Sequence, residues 1–168
     1  MKKWEERPIE IATLLNPAFC GYLLSLGIKG YTEQAQENAP YVFPFIMLPL
    51  VLHKSTREKL PKKVGRKTFL TWIDEQEIID IVKIDFAERA KNLVPYVKEA
   101  LLFAIKHNII ELTNAGMLIS KNENINTRKY INKTEEIEEC IKISEKCGKL
   151  IAKAGNFNMV MISLGVTV

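Results

Sequence analysis

The sequence predicts a mainly α-helical fold with one small β-hairpin, arranged as a winged helix-turn-helix-like core at roughly 68–121. Three observations predict it. Apolar residues recur at helical spacing along most of the 168 residues. Between 109 and 120 that rhythm gives way to two short β-prone runs around Asn114-Ala-Gly116. Helix, break, helix, hairpin is the order across 68–121, with helices at 8–60 and 134–154 wrapped around it in a single domain spanning 1–168.

Pro8 can open a short helical turn over 9–15. Asn16-Pro17 reads as an N-cap followed by proline at the first helical position, where its missing N–H is not needed. The helix they open is expected to reach about Lys29 and stop at Gly30, with a polar loop from Thr32 to Asn38. Pro44 opens the next helix and Pro49 should kink it; apolar nearly all round, it is expected to be the most buried. Ser55-Thr-Arg-Glu58 matches a capping box, and Pro61 ends the turn it starts. A helix begins near Thr68, with Phe69, Trp72, Ile73 and Gln76 in its pattern. Phe86, Ala90 and Leu93 mark another helical face, broken before Pro95. From Pro95 a helix runs to about His107 with Val97, Ala100, Leu101, Ala104 and Ile105 inward, and Asn108 suits a left-handed cap. After a polar segment from Lys121 to Lys133, a last amphipathic helix carries Ile137, Cys140, Ile141, Ser144, Cys147 and Ile151 on one side and ends at Gly155. The apolar tail from Met159 onward must dock, on its own core or on a partner.

Composition places the chain among cytoplasmic globular proteins. It is 47% apolar and 26% charged, with three cysteines in no paired spacing, which points to buried thiols in a reducing compartment. The amino terminus has no apolar segment behind its lysines, so no signal peptide is expected. The most apolar stretch, 42–52, is shorter than the roughly 20 residues a membrane helix needs. The net charge of +4 is concentrated in one window, where Lys54, Arg57, Lys59, Lys62, Lys63, Arg66 and Lys67 face a single acid, Glu58. Lys54, Arg57, Lys62, Lys63, Arg66 and Lys67 are therefore candidate nucleic-acid contacts, gripping phosphate without reading bases.

Residues that could do chemistry are sparse. His53 and His107 stand at helix ends without companions at metal-ligand spacing, so no metal and no cofactor are expected. Cys140 and Cys147 share the apolar face of their helix, and Asp74, Glu75, Glu77 and Asp80 read as the charged outside of another. Phosphate-binding, dinucleotide and nucleophile-elbow motifs do not occur, so the chain is not expected to be an enzyme. The helix after Pro95 turns Lys98, Glu99, Leu102, Phe103 and Lys106 away from its core face. Glu99 opposes phosphate and Leu102 with Phe103 is apolar, so that surface suits protein better than DNA. Lys98, Leu102, Phe103 and Lys106, with Met159, Met161 and Leu164 from the tail, are the candidate partner-binding residues.

A set of blocks in fixed order is more specific than any of these. Arg7-Pro-Ile-Glu-Ile-Ala12, Leu15-Asn-Pro-Ala-Phe-Cys-Gly21, Leu48-Pro-Leu-Val-Leu-His-Lys54 with Thr56-Arg57, Phe86-Ala-Glu-Arg89, Leu93-Val-Pro95, Glu99-Ala-Leu-Leu-Phe103, and Ala152-Lys-Ala-Gly155 with Leu164-Gly-Val166 run through the chain. Together they resemble the middle component of three-component ABC-ATPase systems, over about 7–166. The resemblance implies partners: an ABC ATPase of the SMC/Rad50 type and an effector, often a nuclease, as in Lamassu-type anti-phage defence. It also implies a winged-helix region and no catalytic residues, and the 54–67 patch is where such a complex is expected to engage double-stranded DNA. The expected function is a non-catalytic adaptor joining ATPase to effector, with no membrane contact. The alternative is a free-standing winged-helix transcription regulator, which would bind its operator as a dimer.

Overall fold

The computed structural model describes residues 14–61, 63, 65–75, 82–121 and 134–166. The turn expected at 9–15 lies almost wholly outside them, as do Gln76, Glu77, Asp80, Lys62 and nearly all of the polar segment before the last amphipathic helix. Helix α1 (Pro17–Ala35) starts as expected. Asn16 Oδ1 accepts from the amides of Ala18 and Phe19 at 2.8 and 3.4 Å, satisfying donors that the first turn leaves free.

Its end is different. Gly30 lies inside α1, which runs on through Thr32 to Ala35 and stops at Gln36 in the left-handed conformation. The reason is tertiary. Gly30 marks the crossing of α1 with α6 (Glu135–Ala152), where an added Cβ would collide with the Glu145 carbonyl. Gly148 on α6 meets the Gly27 carbonyl in the same way. Close helix packing there offsets the roughly 1 kcal/mol that an interior glycine costs.

After β1 (Ala39–Pro40), helix α2 (Phe43–Leu52) carries Pro44 in its first turn and Pro49 inside, and Phe43, Ile46, Met47, Leu48, Leu50 and Val51 are all buried. The short α3 (Lys54–Lys59) begins a residue before the expected cap. The Ser55–Glu58 box does not form: His53 Nδ1 lies 2.8 Å from Thr56 Oγ1 instead, and Glu58 faces Lys54. Thr68 caps α4 (Phe69–Ile73) reciprocally with Thr71, and Trp72 on α4 is buried with its Nε1 donating to the Lys59 carbonyl at 3.1 Å.

The largest correction concerns Pro95. Helix α5 (Phe86–Lys106) is continuous through it, so the helix, break, helix of the expected core is one 21-residue helix. Pro95 is exposed, and buried residues on either side, Phe86 and Ala90 before it and Val97, Ala100, Leu101 and Ala104 after it, hold both halves to one core. Packing thereby overrides a local break. Asn108 takes the left-handed conformation beyond the helix, as expected.

The hairpin follows: β2 (Ile110–Leu112) pairs antiparallel with β3 (Met117–Ser120) around Gly116, whose φ is +73°. Beyond the hairpin, β1 pairs with the other edge of β3, Ala39 opposite Leu118, giving a three-stranded sheet in the order β1-β3-β2. Thr134 caps α6 through the Ile137 amide, and Gly155 turns the chain at φ +74° into α7 (Phe157–Ser163). Helix α1 packs along α6 and α5, α2 packs on both, and β3 closes against α1. One hydrophobic cluster draws on all of these elements, from Phe19 to Leu164.

Candidate partner-binding surfaces

Helix α5 has two unlike faces. Val97, Ala100, Leu101 and Ala104 are at most 3% exposed, whereas Leu102 is 69% exposed. Lys98 and Lys106 are exposed beside it. Phe103 is half-buried, its ring 4.2 Å from the His107 imidazole. Ile105, expected inward, is 37% exposed. A helical wheel centred on Val97 already puts it about 80° off the core face, at its edge. The wheel also places Lys91 and Pro95 on the outer face, where both are exposed.

The basic segment divides in two. Arg57 does not belong to an exposed patch: it is 4% exposed. Its Nη1 donates to the Val51 and Leu52 carbonyls at 2.9 and 3.2 Å, its Nη2 donates to Glu136 Oε1 at 2.9 Å, and its Nε lies 3.5 Å from Glu139 Oε2. These are the last carbonyls of α2 and the first turns of α6, so Arg57 rivets the two helices together. Lys54, Lys63, Arg66 and Lys67 remain exposed. Lys54 faces Glu58 and Lys67 pairs with Glu75, while Lys63 and Arg66 make no ion pair among the described residues. Lys153, at the end of α6, donates to the Gly65 carbonyl and ties this loop to the helix bundle.

The tail divides as well. Met161 and Leu164, expected to meet a partner, are 8% and 1% exposed and cover the chain's own core, while Met159 and Ile162 face outward at 48% and 68%. At i and i+3 these two share one side of α7, a spacing that sequence alone does not orient.

The remaining reactive groups are structural in setting. Cys20, Cys140 and Cys147 are buried and unpaired, and burial pushes their thiols up to about 12, 11 and 12. Asp74 pairs with Lys83 and Glu75 with Lys67. His53 borders an apolar cavity of about 370 Å³ with Pro49, Leu52, Arg89 and Leu93, and burial, then the charges of Arg89 and Arg57, hold its pKa below the usual value. Among the described residues no cluster of His, Cys, Asp and Glu could hold a metal ion, and no helix is long and apolar enough to cross a membrane.

No curated protein and no solved structure matches the chain. The sequence model of the family described as ABC-three component (ABC-3C) system Middle Component 3 does match it, over residues 4–168. A match across nearly the whole chain assigns it: this protein belongs to the Middle Component 3 family of ABC-three component systems.

Proposed function

We propose that the chain is a non-catalytic, cytoplasmic bridging subunit of a bacterial anti-phage defence complex, joining an SMC-like ABC ATPase to an effector subunit. One observation carries the reading. The central helix α5 is packed into the core along one face and presents Leu102, 69% exposed, with Ile105 on the other. Apolar side chains carried on a packed helix spare a partner the cost of ordering backbone and gain the transfer of their surface from water. Family membership supports the reading, since a middle component of a three-component system implies other subunits as partners.

The core around α5 we read as a winged helix with wider bounds than 68–121. In this reading α1, β1, α2, α5 and the β2–β3 hairpin form it, and residues 53–85 are inserted between its second and third helices. The order of elements and the sheet order β1-β3-β2 support this. Lys54, Lys62, Lys63, Arg66 and Lys67 supply phosphate contacts when the assembled complex meets double-stranded DNA.

Co-expression of the three components, with each omitted in turn, tests the bridge. ATPase and effector should co-purify only when this chain is present. Direct association of the other two without it, or isolation of this chain as a dimer on one defined DNA fragment, would replace the bridge with a scaffold-free complex or with a free-standing regulator.

A further inference from the structure

The outer face of α5 has a period of its own. Glu88, Lys91, Pro95, Lys98, Leu102 and Ile105 are all exposed, and they follow one another at intervals of three, four, three, four and three residues. That alternation is the spacing of a single helix face, a seam whose positions a helix laid along α5 would meet in turn, with the apolar contact confined to Leu102 and Ile105. At 1.5 Å per residue the seam is about 25 Å long. Its chemistry is graded. Leu102 and Ile105 make an apolar end near the hairpin, Lys98 and Lys106 flank that end, and Lys91 stands two turns back. None of the three lysines makes an ion pair among the described residues, although seven other lysines of the chain do. Acid on this side of the helix is confined to Glu88 at its start and Glu99 beside the seam.

We propose that this seam takes an acidic amphipathic helix from another component of the system, laid along α5 with its apolar residues on Leu102 and Ile105 and its carboxylates against Lys91, Lys98 and Lys106. The proposal rests on the bridging reading above and names the chemistry of one of its contacts. Charge selects among occupants. DNA would satisfy the lysines but would set Leu102 and Ile105 against sugar and phosphate. A second copy of this chain, related by a two-fold axis, would bring the same cationic face against itself. A helix carrying Asp or Glu around an apolar stripe meets both demands, with the lysines adding speed of encounter and choice of partner.

The test places the photo-crosslinking residue p-benzoylphenylalanine at position 102 of the full chain, in the co-purified three-component complex, and maps the attached peptide by mass spectrometry. The expected product joins residue 102 to one segment of another component that has acidic residues at helical spacing. Lys98→Glu with Lys106→Glu should then weaken binding of that component at least tenfold, and Asp or Glu to Lys changes in the mapped segment should restore it. Both lysines are exposed, so an unchanged circular dichroism melt is expected and separates docking from folding. Cross-links to a second copy, to DNA or to a segment without that acidic pattern overturn the assignment, and so does an assembled complex with no cross-link at 102. In those cases the three chains still co-purify and the bridging reading stands. If they do not assemble at all, the bridge fails and this contact with it.

Discussion

At the scale of the residue, Arg57 separates composition from position. It sits in the most basic window of the chain, yet it is 4% exposed and gives hydrogen bonds to two carbonyls of α2 and a carboxylate of α6. Both glutamates beside it are about 40% exposed, so solvent screens the ionic part and the carbonyl bonds carry more of the effect. Arg57→Ala should therefore destabilise the fold by about 3 kcal/mol, and Arg57→Lys by much of that, because an ammonium cannot fork across both carbonyls and a carboxylate. The urea midpoint of each variant measures this; a loss confined to DNA binding, with stability untouched, would return Arg57 to the surface patch. His53 adds a pH dependence. Its folded pKa is depressed below 6.5, chiefly by burial, so the unfolded chain takes up the proton first. The stability it contributes is present above pH 6.5 and is lost as pH falls from there to the lower folded value. Thermal melts between pH 7.5 and 5.5 should slope less for His53→Gln than for the unaltered chain, and parallel slopes would show that the ring is not insulated.

At the scale of the element, the crossing of α1 and α6 is set by the absence of two side chains. A Cβ at Gly30 would meet the Glu145 carbonyl and one at Gly148 the Gly27 carbonyl, and backbone cannot rotate aside as a side chain can. Gly30→Ala and Gly148→Ala should each destabilise by about 3 kcal/mol, the upper end for overpacking, despite alanine's better helix propensity. Gly65→Ala, with nothing within 4 Å of the added carbon, should stay within about 0.5 kcal/mol of the parent. Denaturant titration of the three variants decides the point: equal stabilities would mean the helices can part freely. The same competition between local and tertiary terms explains why α5 passes through Pro95 and why α1 passes through Gly30. Local signals weigh about 1–3 kcal/mol, and a long buried helix face outweighs them.

At the scale of the whole molecule, α5 sets Leu102 and Ile105 beside its own lysines, while a second basic segment lies elsewhere in the chain. The apolar outer end of α5 and the basic segment of Lys54, Lys63, Arg66 and Lys67 belong to different parts of the chain, the basic one tied to the end of α6 by the Lys153–Gly65 contact. Under the proposed function they take different partners, protein for the first and DNA for the second. Changing Lys62, Lys63, Arg66 and Lys67 to Glu should lower DNA affinity of the assembled complex at least tenfold. The slope of log affinity against log salt should become shallower by about 2–4 units, since every phosphate left without its cation keeps about one condensed counterion. Unchanged affinity with an unchanged slope removes the DNA role and leaves the bridge intact.

The sequence by itself determined the central parts of most helices, where the hairpin turns, and the cap at Asn16, because each depends on residues within one or two turns of each other, whereas it showed the helix at Phe157–Ser163 only as an apolar tail. It also determined that Lys98, Leu102 and Lys106 face away from the core, since helical periodicity alone separates inside from outside. Only the tertiary structure decided that Gly30 and Pro95 lie inside helices and that β1 joins the hairpin. It likewise buried Arg57, Met161 and Leu164 while leaving Met159 and Ile162 outside. Each of those outcomes depends on a partner distant in sequence, as when Glu136 lies 79 residues beyond Arg57, and local propensity carries no information about what the folded chain brings alongside.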